Sequence, residues 1–157
     1  MAAIIRRLAE QYDAPVFDPH VTVYGGCFAD DDAMCELLDA TVTNVPPLAL
    51  TVTKLDVTDE FFKTLFIAFE PSAELAHLSE QMRRRLSCPA PYDLQPHLSL
   101  LYKQMPADEK RRIIAGLDPP PRRITCNEAR IVSPTNLTAG WRDVSSWRTI
   151  ATQKLTR

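Results

Sequence analysis

Two of the three histidines in this chain sit in matching settings. Residues 19–23 read Pro-His-Val-Thr-Val, and residues 96–100 read Pro-His-Leu-Ser-Leu. Each copy is a proline, a histidine, an apolar residue, a hydroxyl residue and another apolar residue, and Tyr24 or Tyr102 follows closely. Side chains on an extended strand alternate between faces, so His20 and Thr22 share one face and Val21 and Val23 the other. By the same alternation His97 and Ser99 lie opposite Leu98 and Leu100. Imidazole titrates near neutral pH and can take or give a proton, while a hydroxyl beside it can donate to a charged oxygen. A single His-x-Ser/Thr carries little information, because half-buried strands often have a polar face. Two copies with the same preceding proline point to one shared site.

The elements that must position these residues can be read from hydrophobic periodicity. Ile4, Ile5, Leu8 and Tyr12 predict a helix over 2–12, ending before Pro15. A strand over 19–25 carries the first motif and stops at Gly25-Gly26. Asp30-Asp31-Asp32 opens a helix of about a dozen residues, with Met34, Leu37, Leu38 and Val42 as its apolar stripe. Residues 48–58 and 61–70 alternate as two strands of a hairpin with a turn at Asp59-Glu60. Ser72 is the expected N-cap of a helix over 72–87, with Leu75, Leu78, Met82 and Leu86 facing inward. Strand 97–102 carries the second motif. A helix over 106–117 starts at Pro106, and the Pro119-Pro120-Pro121 run ends it. Residues 122–133 and 145–155 read as closing strands around a loop through Gly140 and Trp141. The order is β-α-β-β-α-β-α-β-β from the first motif onward. It predicts an α+β fold: two antiparallel lobes with flanking helices, related by a pseudo-two-fold, each giving one histidine and one hydroxyl to a central cleft.

Composition bounds what such a site could serve. The 157 residues, with 45% hydrophobic and 24% charged, fit one globular domain over 1–157. A net charge of −2 argues against long nucleic acid and anionic membrane as partners, while leaving room for one phosphate in a local pocket. No apolar run reaches the length of a membrane span, and the first residues lack a signal-peptide pattern, so a cytoplasmic location is expected. Cys27, Cys35, Cys88 and Cys126 have no metal-ligand spacing, so neither a metal site nor a cofactor is expected. His77 on the helix over 72–87, and the Arg83-Arg84-Arg85 run at its end, read as solvated. Lys103 is a weaker phosphate contact, and Tyr24 takes no role.

The two motifs, with Phe-Phe-Lys-Thr-Leu-Phe over 61–66, Pro-Tyr-Asp-Leu-Gln-Pro-His-Leu-Ser-Leu-Leu-Tyr over 91–102 and Trp-Arg-Thr-Ile over 147–150, resemble the two-histidine (2H) phosphoesterase superfamily. The resemblance is greatest to its plant and bacterial cyclic phosphodiesterase branch. It implies metal-independent opening of a cyclic phosphodiester to a monoester. The implied substrate is a 2′,3′-cyclic nucleotide or ADP-ribose 1″,2″-cyclic phosphate. His20 and His97 would be general base and general acid in an order the sequence does not set. Thr22 and Ser99 would donate to the non-bridging oxygens. Phe62 matches an aromatic that packs against the nucleoside, and Tyr102 one that lines the pocket. Strict alternation, however, puts Tyr102 on the Leu98 face, so it needs a twist or bulge to reach the site. The alternatives are a 2′–5′ RNA ligase or phosphodiesterase, and a nucleotide- or RNA-end-binding module without turnover. Relatives open with a strand ahead of the first helix, and here the chain opens directly with that helix. A missing strand leaves a sheet edge bare, which a second copy of the chain, as a homodimer, or a neighbouring segment is expected to cover.

Overall fold

The computed structural model describes residues 1–26, 30–87, 89–135 and 142–156; the expected loop through Gly140 and Trp141, with Cys27 and Cys88, lies outside the described residues. The described chain forms helices α1 (Ala2–Tyr12), α2 (Asp31–Val42), α3 (Ala73–Arg85) and α4 (Ala107–Ala115). Its strands are β1 (Leu48–Val57), β2 (Leu65–Phe69), β3 (His97–Leu101), β4 (Arg123–Cys126), β5 (Glu128–Pro134) and β6 (Trp147–Lys154). Two compact units are assembled from interleaved stretches. The first comprises Met1–Thr22, Thr51–Glu70 and Pro96–Arg123; the second comprises Val23–Leu50, Pro71–Gln95 and Ile124–Arg157.

The first unit is built on an antiparallel sheet. Within it β2 lies between β1 and β3 and pairs antiparallel with both, and Val52 N–H donates to Arg122 O (2.9 Å). Leu55, Ile67 and Leu98 align across β1, β2 and β3 and therefore share a face. α1 packs against β3, burying Ile5, Leu8 and Ala9, and Ile67 and Leu98 are buried with them. The next row, Asp56, Phe66 and Ser99, takes the opposite face. Burying side chains such as Ile5, Leu8 and Leu98 contributes about 1.5–3 kcal/mol each, which seats α1 and frees the other sheet face for polar residues.

In the second unit α2 packs on α3, β5 and β6. Met34, Leu37, Leu38 and Val42 on α2, Leu75 and Leu78 on α3, and Ile131 on β5 are buried. The caps follow the sequence: Asp30 accepts from Ala33 N–H at 2.9 Å, and the Ser72 hydroxyl from Leu75 N–H at 3.2 Å. Arg148 on β6 donates twice to Asp31 (2.8 and 2.9 Å), holding that carboxyl below its usual range. Tyr24 donates to Ala90 O (2.8 Å), and its ring lies 5.5 Å from that of Tyr92.

Three sequence expectations change. The strand over 19–25 is extended chain with a single antiparallel bridge, Val21 to Leu98. Pro19 has no N–H to give a ladder, and the Asp18 carbonyl accepts from the His20 ring instead. The strand over 61–70 begins as a 3₁₀ turn at Phe61–Lys63, because the buried Thr64 hydroxyl donates to Phe61 O (3.0 Å) and closes the chain on itself. The strand over 122–133 divides into β4 and β5, which belong to different sheets, at Asn127, whose carbonyl accepts from Leu155 N–H (2.8 Å).

Candidate active site

His20, Thr22, His97 and Ser99 all belong to the first unit, so the expectation of one histidine from each half is corrected. The reason is the bridge: the first motif segment lies along the free edge of β3, which is itself the second motif strand. An antiparallel pairing of Val21 with Leu98 sets His20 beside Ser99 and Thr22 beside His97 in register. Alternation on both segments then turns those four side chains to the face opposite Val21 and Leu98. His20, Thr22 and His97 are half-buried, whereas Ser99 is 4% exposed.

His20 is oriented from both ring nitrogens. Its Nδ1 lies 2.6 Å from the carbonyl of Asp18, which can only accept, so that nitrogen carries the hydrogen. Nε2 is left to face the site and lies 3.4 Å from the Tyr102 hydroxyl. Tyr102 reaches it because β3 carries a bulge. Ser99 pairs with Phe66, but Leu101 pairs with Leu65, leaving Leu100 as an extra residue. One inserted residue inverts the alternation beyond it and brings Tyr102 to the His97 and Ser99 face.

Tyr102 is 3% exposed and stacks on Phe17, with centroids 3.8 Å apart and planes at 14°. Burial pushes its hydroxyl far above the usual tyrosine range, so at ordinary pH it is a neutral donor. Phe62 stands edge-on to Tyr102 at 5.2 Å and edge-on to Phe61 at 5.0 Å. His97 meets Phe66 edge-on at 5.6 Å, and the Lys63 ammonium lies 5.7 Å above that same Phe66 ring. The Ser99 hydroxyl donates to Phe62 O at 2.5 Å. His20, Tyr102, Phe62 and Ser99 are thus joined in series through direct contacts, and aromatic pairs of this kind add about 0.5–1.5 kcal/mol each.

Phe17 is the aromatic that sequence reading missed. It lies between Pro15 and Pro19 in a segment without periodicity, and only its position just ahead of the first motif marked it. Lys103 is placed away from phosphate chemistry: its ammonium donates to Asp13 O (2.8 Å) at the C-cap of α1, where Asp13 is left-handed at φ 48°. His77 is exposed, and Arg83 and Arg84 donate to Glu80 on their own helix. An open groove of about 460 Å³, lined by residues including Val52, Leu55, Leu117 and Arg122, contains none of the motif residues. Among the described residues no group of three or more His, Cys, Asp or Glu is placed to hold a metal ion, and no helix is long and apolar enough to cross a membrane.

The chain thus combines a mixed helix and antiparallel-sheet fold with two His-x-hydroxyl pairs. The chain belongs to the 2′-5′ RNA ligase superfamily, whose family model matches residues 2–136. A cyclic phosphodiesterase of Arabidopsis thaliana is 24% identical over 108 residues, which are 69% of this chain and 60% of that protein. The chain therefore aligns with about 60% of the length of the curated relative it matches. A crystal structure of a phosphoesterase superposes with a TM-score of 0.59 at 16% identity, covering 100% of this chain and 94% of the other, and shares the fold.

Proposed function

We propose that this protein is a phosphoric diester hydrolase that opens a small cyclic phosphodiester to a monoester by two-histidine acid/base catalysis. The observation that carries the reading is the Val21–Leu98 bridge, which supports a common face for both His-x-hydroxyl pairs. In the reaction water attacks phosphorus while one imidazole takes its proton. The other imidazole, protonated, gives a proton to the departing ribose oxygen as the P–O bond breaks. One proton enters and one leaves, so the pair of histidines ends in exchanged protonation states and resets through solvent. Thr22 and Ser99 steady the non-bridging oxygens, and Phe62 packs against the nucleoside. The Nδ1–H of His20 is held by Asp18 O, which leaves Nε2 as its working nitrogen.

The substrate class is a 2′,3′-cyclic nucleotide or ADP-ribose 1″,2″-cyclic phosphate, in keeping with the name of the Arabidopsis relative and with a net charge of −2, which gives long RNA little electrostatic attraction. The family match supports a second reading, cleavage or joining of a 2′–5′ linkage. In either, the enzyme works in the cytoplasm without a metal or other cofactor.

The test is incubation in EDTA with 2′,3′-cyclic nucleotides, ADP-ribose 1″,2″-cyclic phosphate and a 2′–5′ dinucleotide, with product followed by chromatography. His20→Ala and His97→Ala are each expected to lower kcat by about 10²–10⁴-fold. Binding without turnover in the wild type, or full activity in either variant, overturns the reading. Turnover of the dinucleotide alone favours the second one.

A further inference from the structure

Lys110 on α4 is 2% exposed, and it is the charged residue in the buried set among the described residues. Its ammonium donates to Thr58 O and to Asp59 Oδ1, each at 2.6 Å. Asp59 is 98% exposed at its side chain, so this pair has one end inside the protein and one in water. The carboxyl is held below its usual range by that ammonium. Burying an amine is costly, and an apolar residue of similar length fills the same space more cheaply. Packing alone therefore does not account for a lysine here. What the lysine adds is direction, since it fixes a backbone carbonyl.

The fixed carbonyl belongs to the corner from which the aromatic turn springs. Thr58 N–H and its hydroxyl both donate to Lys63 O (3.1 and 2.8 Å), and Lys63 N–H donates to Glu60 O (3.0 Å). The turn so closed presents Phe61 and Phe62, and the Phe62 carbonyl receives Ser99 from β3. Thr64, at the far end, accepts from Lys103 N–H (3.3 Å). Ser99 thus holds the turn from the site side and Lys110 holds its base from α4.

We infer that Lys110 is a positioning residue that sets Phe61 and Phe62 against the substrate by anchoring the Thr58–Asp59 corner to α4. The inference rests on the reading of the site given above. Lys110 touches no reacting atom, and it acts through the turn. Its loss moves the aromatic wall and weakens nucleoside binding while leaving the histidines in place.

The experiment is a double-mutant cycle between Lys110→Met and Phe62→Leu, read as KM and kcat on the best cyclic substrate. Lys110→Met raises KM about tenfold with kcat within about twofold, and in the Phe62→Leu background it raises KM less than about twofold. Asp59→Ala, at an exposed position, raises KM about threefold, since the bond to Thr58 O remains. An unchanged KM in Lys110→Met, or an equal rise in both backgrounds, overturns the inference. If Lys110→Met does not fold, Asp59→Ala decides: native thermal stability with unchanged KM overturns it. The ring resonances of Phe61 and Phe62 give a readout independent of turnover. They shift in Lys110→Met or Asp59→Ala if the turn moves, and unshifted resonances in a folded variant count against the inference. A wild type without turnover removes the reading of the site, and these resonances still decide on Lys110.

Discussion

The Ser99 hydroxyl gives its one hydrogen to the Phe62 carbonyl, 2.5 Å away, although Ser99 is the hydroxyl of the second motif. In this arrangement β3 and the aromatic turn are tied by the same group that is proposed to meet the substrate. To donate to a phosphate oxygen, the hydroxyl must rotate off Phe62 O, so engagement of the substrate and release of the turn are one event.

Ser99→Ala therefore has two separable effects. Phe62 O loses this donor, at a stability cost of about 1 kcal/mol measured by denaturant unfolding. Loss of a donor to developing charge lowers kcat by about 10²-fold. A variant with unchanged kcat and lowered stability would leave Ser99 as a structural tie alone.

Tyr102→Phe keeps the stack on Phe17 and removes only the hydroxyl at His20 Nε2. We expect an unfolding midpoint close to that of the wild type and a kcat lower by about tenfold, as the imidazole loses a restraint at Nε2. Phe17→Ala removes the stacking partner itself and costs about 3–5 kcal/mol, the usual range for a buried phenylalanine. Comparing unfolding free energy with kcat in both variants separates orientation of His20 from packing.

Acid weakens the fold through a defined set of carboxylates. Asp31, Asp56, Asp59, Glu74 and Glu80 are all held below their ordinary values, mainly by hydrogen bonds from Arg148, Lys54, Lys110, the Glu74 backbone and Arg83 respectively. A depressed value means that the unfolded chain binds protons more readily, so the contribution is complete above the unfolded value and is lost as pH falls through the folded one. For Glu80, bonded by Arg83 and then Arg84, that window runs from 4.5 down to about 2. Thermal midpoints should stay level above pH 4.5 as far as Glu80 is concerned and decline below it. Glu80→Gln should flatten part of that decline, and added salt should shrink the difference because the pair is exposed.

Much of the fold was readable because its helices obey simple periodicity and end where capping residues stand. The stripe on α2 and the caps at Asp30 and Ser72 are of this kind. The candidate site was readable as residue types, since two copies of one pattern single out four side chains without reference to tertiary structure. Their placement was less readable. Pro19 and the Asp18 carbonyl prevent a first strand, yet the letters from Val21 to Val23 alternate as if one existed. The need for a bulge before Tyr102 followed from counting positions, whereas its location at Leu100 depends on pairing with β2, which no local pattern encodes. Phe17 and Lys110 owe their environments to residues distant in the chain, Tyr102 and Thr58, so neither stood out from its neighbours.

The unpaired Leu100 gives β3 one residue more than its pairing with β2 uses. Loss of that codon would leave the Pro-His-Leu-Ser signature intact and would bring Ser99 and Leu101 into consecutive register with Phe66 and Leu65. Everything downstream would keep its wet and oily sides, and the tyrosine would still turn toward the imidazole. For this strand, an alignment gap of one residue at Leu100 is a milder lesion than it looks, and a homologue carrying such a gap should be assayed and not set aside.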